Sequence, residues 1–234
     1  PCYISKRGLD SDSLMSDPIL SIRQATIGFE VNNPLLVDVN LEVHPGEIIG
    51  IIGRSGIGKS TLLRTIADLL PPISGQIDVP EGRGEIGYIP QRLGLVNYQN
   101  VGYNVMMGAL PRAPFWQTLF SLPGAELRQS ARDAIEAVGL SDKVLDSISQ
   151  LSGGQQQRVA IARSMVQQPT LLLADECLGE LDSETAKEII ELIQKLAKED
   201  NIAIIIVDHN PVRVATFCDR VLQVKGVRIE EVNV

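Results

Sequence analysis

Ile48-Ile49-Gly50-Ile51-Ile52-Gly53-Arg54-Ser55-Gly56-Ile57-Gly58-Lys59-Ser60-Thr61 carries two signals in direct succession. The opening residues form a short apolar run, as in a strand buried on both faces of a parallel sheet. Gly53 to Ser60 then fits G-x-x-x-x-G-K-[ST]. A helix is expected to open near Gly58 and run to about Leu70, where Pro71 and Pro72 stop it. Strand, glycine-rich loop and helix in that order are the context the motif requires. Glycines let successive backbone N–H groups turn inward around a phosphate chain, and the helix adds its positive N-terminal end. Lys59 is placed for β- and γ-phosphates and the Ser60 hydroxyl for Mg2+; Gly53, Arg54, Ser55, Gly56, Ile57, Gly58 and Thr61 complete a nucleotide loop. A chance glycine-rich turn is the bland alternative, and the flanking strand and helix argue against it.

Similar apolar runs recur at Leu171-Leu172-Leu173-Ala174 and at Ala203–Val207. The first ends in Asp175-Glu176. A carboxylate at the tip of a buried strand beside a phosphate loop can reach Mg2+ directly or through water. Asp175 is therefore a metal candidate and Glu176 a candidate general base for an attacking water. An acidic pair that merely ends a strand is the alternative.

Alternating stretches over 19–31 and 35–43, split by Asn32-Asn33-Pro34, read as antiparallel strands joined by a turn. Further strands are expected at 76–79 and Ile86–Ile89, and helices at 127–138 with Gly139 as cap, 153–167 and 183–199. On the last helix Ile189, Leu192, Ile193 and Leu196 share a core face, and Glu191 and Lys195 make an i,i+4 pair. Residues 92–124 read as irregular, and those after 207 as short edge strands. Strands alternating with helices indicate α/β with a mostly parallel sheet. An antiparallel β subdomain accompanies it, and a helical subdomain is inserted over about 92–160, all within one domain of residues 15–234.

The net charge is −8 and aromatics are 4% of the 234 residues, which speaks against a nucleic-acid partner. Cys2, Cys177 and Cys218 lie far apart without C-x-x-C spacing, so a reducing compartment fits better than a disulfide framework or a zinc site. Cys177 and Cys218 read as small core fillers. No apolar run reaches the roughly 18–20 residues that span a bilayer, so any membrane role must come through a partner. Residues 1–14 are mixed and polar and read as a disordered or appended leader, with Met15 a plausible start.

Leu151-Ser152-Gly153-Gly154-Gln155-Gln156-Gln157-Arg158 resembles the signature of the ATP-binding-cassette transporter family. Its serine and glycines suit a helix start that offers N–H groups to a γ-phosphate. The resemblance covers about residues 19–230 and implies a RecA-like P-loop ATPase fold. It also implies ATP and Mg2+ as ligands, and a head-to-tail dimer with a second ATPase subunit. There Ser152, Gly153, Gly154 and Gln155 would meet the nucleotide held by the partner. Further positions match in order. Gln91 resembles the glutamine that senses Mg2+ and the transmembrane partner. Asp182 resembles the D-loop aspartate, and His209 the switch histidine on the γ-phosphate. Phe29 resembles the aromatic that stacks on adenine, with plain core packing as its alternative. Cys177 stands where the family has proline, Gly179-Glu180-Leu181-Asp182 departs from S-A-L-D, and Ile57 is bulkier than usual. None of these removes a reactive group, so an active ATPase is expected.

Between Gln91 and the signature, Arg112, Trp116, Thr118 and Leu119 fit the R-x-x-x-W-x-(S/T)-L spacing of phosphonate-import ATPases, although Pro111 and Pro114 differ. Trp116 and Phe120 can equally be local core. The resemblance implies uptake of a phosphonate or related reduced-phosphorus oxyanion, with transmembrane permease subunits and, through them, a periplasmic or extracellular solute-binding protein. The chain would lie peripherally on the cytoplasmic face of the membrane. Another small solute such as phosphate, a soluble cassette ATPase, or an accessory to carbon–phosphorus bond-cleaving machinery are the competing readings.

Overall fold

The structure, a computed structural model, describes residues 17–113, 124–179 and 181–232. The expected leader over 1–14, the segment with Trp116, Thr118, Leu119 and Phe120, and Glu180 lie outside the described residues.

Two sheets share one core. β1 (Leu20–Ile27), β2 (Leu36–Val43) and β4 (Ser74–Asp78) form an antiparallel sheet in the order β2-β1-β4. β3 (Ile48–Ile52), β5 (Ile86–Ile89), β6 (Leu171–Asp175), β7 (Ala203–Val207), β8 (Arg220–Lys225) and β9 (Arg228–Glu231) form the second, in the order β5-β6-β7-β3-β8-β9. All its neighbours pair in parallel except β8 with β9. β3, β6 and β7 are buried at every position, as their unbroken apolar runs require. The inner faces of β1 and β2 meet the β3–β6–β7 face through Leu20, Ile22, Leu36, Ile49, Leu171 and Ile205.

α1 (Lys59–Ile66) is shorter than the helix expected to Leu70; Ala67 leaves helical geometry and Asp68 turns left-handed, φ 57°. α3 (Ala125–Ala137) and α4 (Gly153–Gln167) follow the expected pattern, and Gly139, at φ 69°, ends the turn after α3. α5 (Ser183–Asp200) buries Ile189, Ile193 and Leu196. The i,i+4 ion pairs along it are Lys187–Glu191 (3.9 Å) and Lys195–Glu199 (3.8 Å), not the expected Glu191–Lys195. Lys187 and Lys195 thus each reach the acid four residues toward the C-terminus.

Two further expectations are corrected. Residues 92–124 are not all irregular: α2 (Val101–Met106) starts at Asn100, whose side chain accepts from the Tyr103 N–H, and a 3-10 turn follows. Val101 and Val105 pack with Ala131, Ile135, Val159 and Val166 as a separate apolar cluster. After β7 the chain forms α6 (Pro211–Ala215), capped by Asn210 with proline at its first position. β8 is not an edge strand, since it lies between β3 and β9.

Candidate functional site

β3 delivers the chain into the Gly53–Gly58 loop at the carboxyl end of the parallel sheet, where open α/β folds bind ligands. Gly56 and Gly58 stand at φ +76° and +112°, a region that costs a residue with a side chain about 1–2 kcal/mol. Gly58 is the N-cap of α1 and contributes no side chain to it, so the helix start is left to the loop and its ligand. Ile57 turns away to pack on the sheet core, which is how a bulky residue fits here.

Lys59 is only 4% exposed. Its Nζ donates to the carbonyls of Gly53 (2.9 Å) and Arg54 (3.0 Å) and lies 3.9 Å from Oε1 of Glu176. These partners offset the desolvation of a buried ammonium. Beside it, Ser60 Oγ donates to Oδ1 of Asp175 at 2.9 Å, and the Tyr88 hydroxyl lies 3.4 Å from Oδ2. Burial, and after it the charge of Asp175, pushes the Tyr88 phenol up, so it remains a neutral donor.

Glu176 occupies left-handed backbone, φ 51°. That conformation costs a residue of order 1–2 kcal/mol and persists where the surroundings fix it. Here the Glu176 N–H donates to Val207 O (3.0 Å), and its carbonyl accepts from Gly179 (3.2 Å). Gln157 Nε2 donates to the carbonyl of Cys177. Gln91 Nε2 donates to Oε2 of Glu176 at 2.8 Å, so the Gln91 side-chain oxygen is not the atom engaged there and keeps its acceptor capacity. Gln91, Glu176 and His209 line one cleft of about 560 Å³, together with Gly153 and Gly179.

Ser152 and Asp182 form a second group. Ser152 caps α4 in a reciprocal box: Gln155 N–H donates to its Oγ (3.3 Å), and its own N–H donates to Gln155 Oε1 (3.0 Å). A Cβ on Gly154 would stand 2.5 Å from Cγ2 of Thr185, so that glycine permits the start of α5 to cross α4. Asp182 caps α5 through the N–H groups of Glu184 (3.1 Å) and Thr185 (3.0 Å) and takes the Thr185 hydroxyl at 2.7 Å. These bonds, the Thr185 N–H first, pull its carboxyl below the usual range. Phe29 is 69% exposed on the connection after β1, which removes plain core packing as its explanation.

Three features at the site were not read from the sequence. Arg163 of α4 donates to the carbonyls of Leu93 (2.7 Å) and Gly94 (2.8 Å), just beyond Gln91. Asn104, 1% exposed, accepts from Val96 N–H (2.7 Å) and donates to Val96 O (3.2 Å) and Asn100 O (3.0 Å), fixing the same loop. Asp208 is fully buried beside His209, and the Arg213 guanidinium grips both its oxygens at 2.7 to 3.0 Å. Arginine is common on helices and Asp208 ends an apolar run, so neither pairing has a signature in sequence alone.

The residues present suit Mg2+: the Ser60 hydroxyl and Asp175 carboxylate are adjacent hard oxygen donors, and Mg2+ beside a nucleotide takes one or two protein ligands plus phosphate oxygens.

A family model described as ABC transporter matches residues 36–179. The chain is 38% identical to the phosphonates import ATP-binding protein PhnC 2 of Pseudomonas savastanoi pv. phaseolicola, over 83% of this chain and 76% of that one. It is 36% identical to the phosphonates import ATP-binding protein PhnC of Escherichia coli K12, over 80% and 78%. Among solved structures it is similar to cbiO1 of Clostridium perfringens, part of the ABC transporter complex cbiONQ, with TM-score 0.80, 29% identity, and coverage of 92% of this chain and 88% of that one. It is also similar to the ATP-binding cassette MJ0796 in a dimeric post-hydrolysis state bound to ADP and Pi, with TM-score 0.75, 29% identity, and coverage of 92% and 99%.

Proposed function

Because the chain belongs to the ABC transporter ATPase family, we propose that it powers an importer of a phosphonate or related reduced-phosphorus oxyanion. One observation carries the chemistry: Lys59, Ser60, Gln91, Asp175 and Glu176 converge through direct contacts at the carboxyl end of the parallel sheet. The cargo assignment is supported by the names of the relatives and by the spacing of Arg112, Trp116, Thr118 and Leu119 in the sequence.

In this reading ATP lies along the Gly53–Gly58 loop with adenine against Phe29. Arg54, Ser55 and Thr61 complete the loop's contacts. Lys59 moves its ammonium from the Gly53 and Arg54 carbonyls to the β- and γ-phosphate oxygens. Ser60, Asp175 and the Gln91 carbonyl oxygen would hold Mg2+, which supplies charge neutralisation between the phosphates when bound. Glu176 takes the proton of the attacking water, and Gln91 orients its carboxylate. His209 contacts the γ-phosphate. Ser152 to Gln155 of a second copy close over the nucleotide from the far side, with Asp182 at the seam, in a head-to-tail dimer.

The described residues between about 92 and 160 make up the lobe assigned in this reading to the permease contact, with the Gln91 loop as its hinge to the sheet. The described residues contain no helix long and apolar enough to cross a membrane, so energy reaches the bilayer through permease subunits. The chain then sits on the cytoplasmic face, and an external binding protein delivers solute to the permease.

The test is ATP hydrolysis in proteoliposomes holding this chain, its permease and its binding protein, with methylphosphonate, phosphite and phosphate added separately. Stimulation by methylphosphonate or phosphite above that by phosphate is expected. Hydrolysis indifferent to all three would discard the cargo and keep the ATPase.

A further inference from the structure

Buried Asp208 and half-buried Arg213 stand out in the site as a charge pair without an assigned role. Asp208 is 0% exposed, and its backbone N–H donates to Ile51 O (3.1 Å), the strand residue that precedes the phosphate loop by two positions. Its side chain is bound from two directions. Arg213 Nε reaches Oδ2 at 3.0 Å, and Nη2 reaches Oδ1 at 2.9 Å and Oδ2 at 2.7 Å. The Asn210 N–H donates to Oδ1 at 2.8 Å, closing a turn around His209. Oδ1 also lies 3.9 Å from Nδ1 of His209, whose side chain is 59% exposed toward the cleft shared with Glu176. Burying two charges gives little net stability against an apolar pair of the same size. A pair kept at this position is better explained by what it does to its neighbour.

We propose that Asp208, held by Arg213, is a positioning residue for His209: it closes the turn that carries the imidazole and places a fixed negative charge 3.9 Å from Nδ1, which leaves Nε2 for the nucleotide. At 3.9 Å the carboxylate is beyond hydrogen-bond reach of Nδ1 and acts through its charge, which favours the proton on the nearer ring nitrogen. Arg213 keeps the carboxylate from swinging and compensates its burial, and the Asn210 turn sets the distance along the chain. The Ile51 contact ties the arrangement to the strand that carries the phosphate loop. The inference rests on His209 serving the nucleotide, as proposed above.

The decisive variant is the double substitution Asp208→Asn with Arg213→Gln. It removes both charges together, keeps an acceptor for the Asn210 N–H, and strands no buried ion; Asp208→Asn alone would leave Arg213 unpaired and could unfold the chain. The chain has two histidines, so imidazole nitrogen NMR resolves His209 once His209→Ala has identified its signals. In the parent protein the neutral His209 ring should carry its proton mainly on Nδ1. In the double variant the population should move toward Nε2, kcat should fall roughly 10- to 100-fold, and ATP affinity should stay unchanged. An unchanged imidazole spectrum, with or without a fall in kcat, would overturn the proposal and leave the pair a structural role. Normal turnover by His209→Ala would instead remove His209 from the mechanism, an outcome separable from the first.

Discussion

Gln91 donates a 2.8 Å hydrogen bond to Oε2 of Glu176, joining the loop after β5 to the residue after β6. With Lys59 3.9 Å from Oε1, both carboxylate oxygens are addressed, one by a neutral donor and one by a cation. A base held this way has its direction set before water arrives, and each partner can be removed separately.

Glu176→Gln is expected to lower kcat at least about 100-fold, the scale of losing a positioned base. ATP binding should persist, since the amide still accepts from Gln91, and with ATP the variant should accumulate as a dimer. Steady-state hydrolysis and size-exclusion chromatography with ATP check this. Turnover at the parent rate would remove Glu176 as the base.

Lys59→Ala takes away a buried ammonium together with its contacts to Gly53 and Arg54. Titration calorimetry should show ATP affinity weakened at least about tenfold, the scale of one charge-assisted contact. Unchanged affinity would contradict the placement of phosphate in this loop.

Burial pushes the Cys177 thiol up to about 12 from an ordinary 9.0. The folded protein therefore holds this proton where the unfolded chain releases it. The stabilisation is complete below pH 9.0 and is lost as pH rises toward about 12. Urea unfolding between pH 8 and 10.5 should show a shallower decline for Cys177→Ala than for the parent. Iodoacetamide should leave Cys177 unmodified in the native protein at pH 8 and label it in urea, read by peptide mass spectrometry.

Asn104→Ala should destabilise by about 1–3 kcal/mol, because the part-buried Val96 N–H loses its acceptor and the buried side chain is removed. Urea denaturation measures this. A change within error would mean that solvent replaces the missing side chain there.

The sheet strands were legible wherever burial on both faces forces an unbroken apolar run, as at Ile48–Ile52 and Ala203–Val207. Glycine-bearing motifs were legible because few residues can satisfy their backbone geometry. α2 was hidden because six residues are too few to display a helical period, and its neighbours include prolines and glycines. α6 was hidden for the same reason, although Asn210-Pro211 is a cap signal that a closer reading finds. β8 was misplaced because the order of strands in a sheet is a property of long-range pairing. Contacts such as Arg163 to Leu93 join positions that only the tertiary fold brings together.

α4 carries the capped Ser152 at one end and Arg163 further along, and Arg163 grips the two carbonyls beyond Gln91. At 1.5 Å per residue, about 15 Å separate Gly153 from Arg163 along the axis. The helix is thus a lever arm: tilting it by about 5° about its N-terminus swings the Arg163 end by about 1.3 Å, roughly the difference between a made and a broken hydrogen bond. Whatever presses on the exposed Ser152 end is therefore felt as a tug on the loop that steers Gln91.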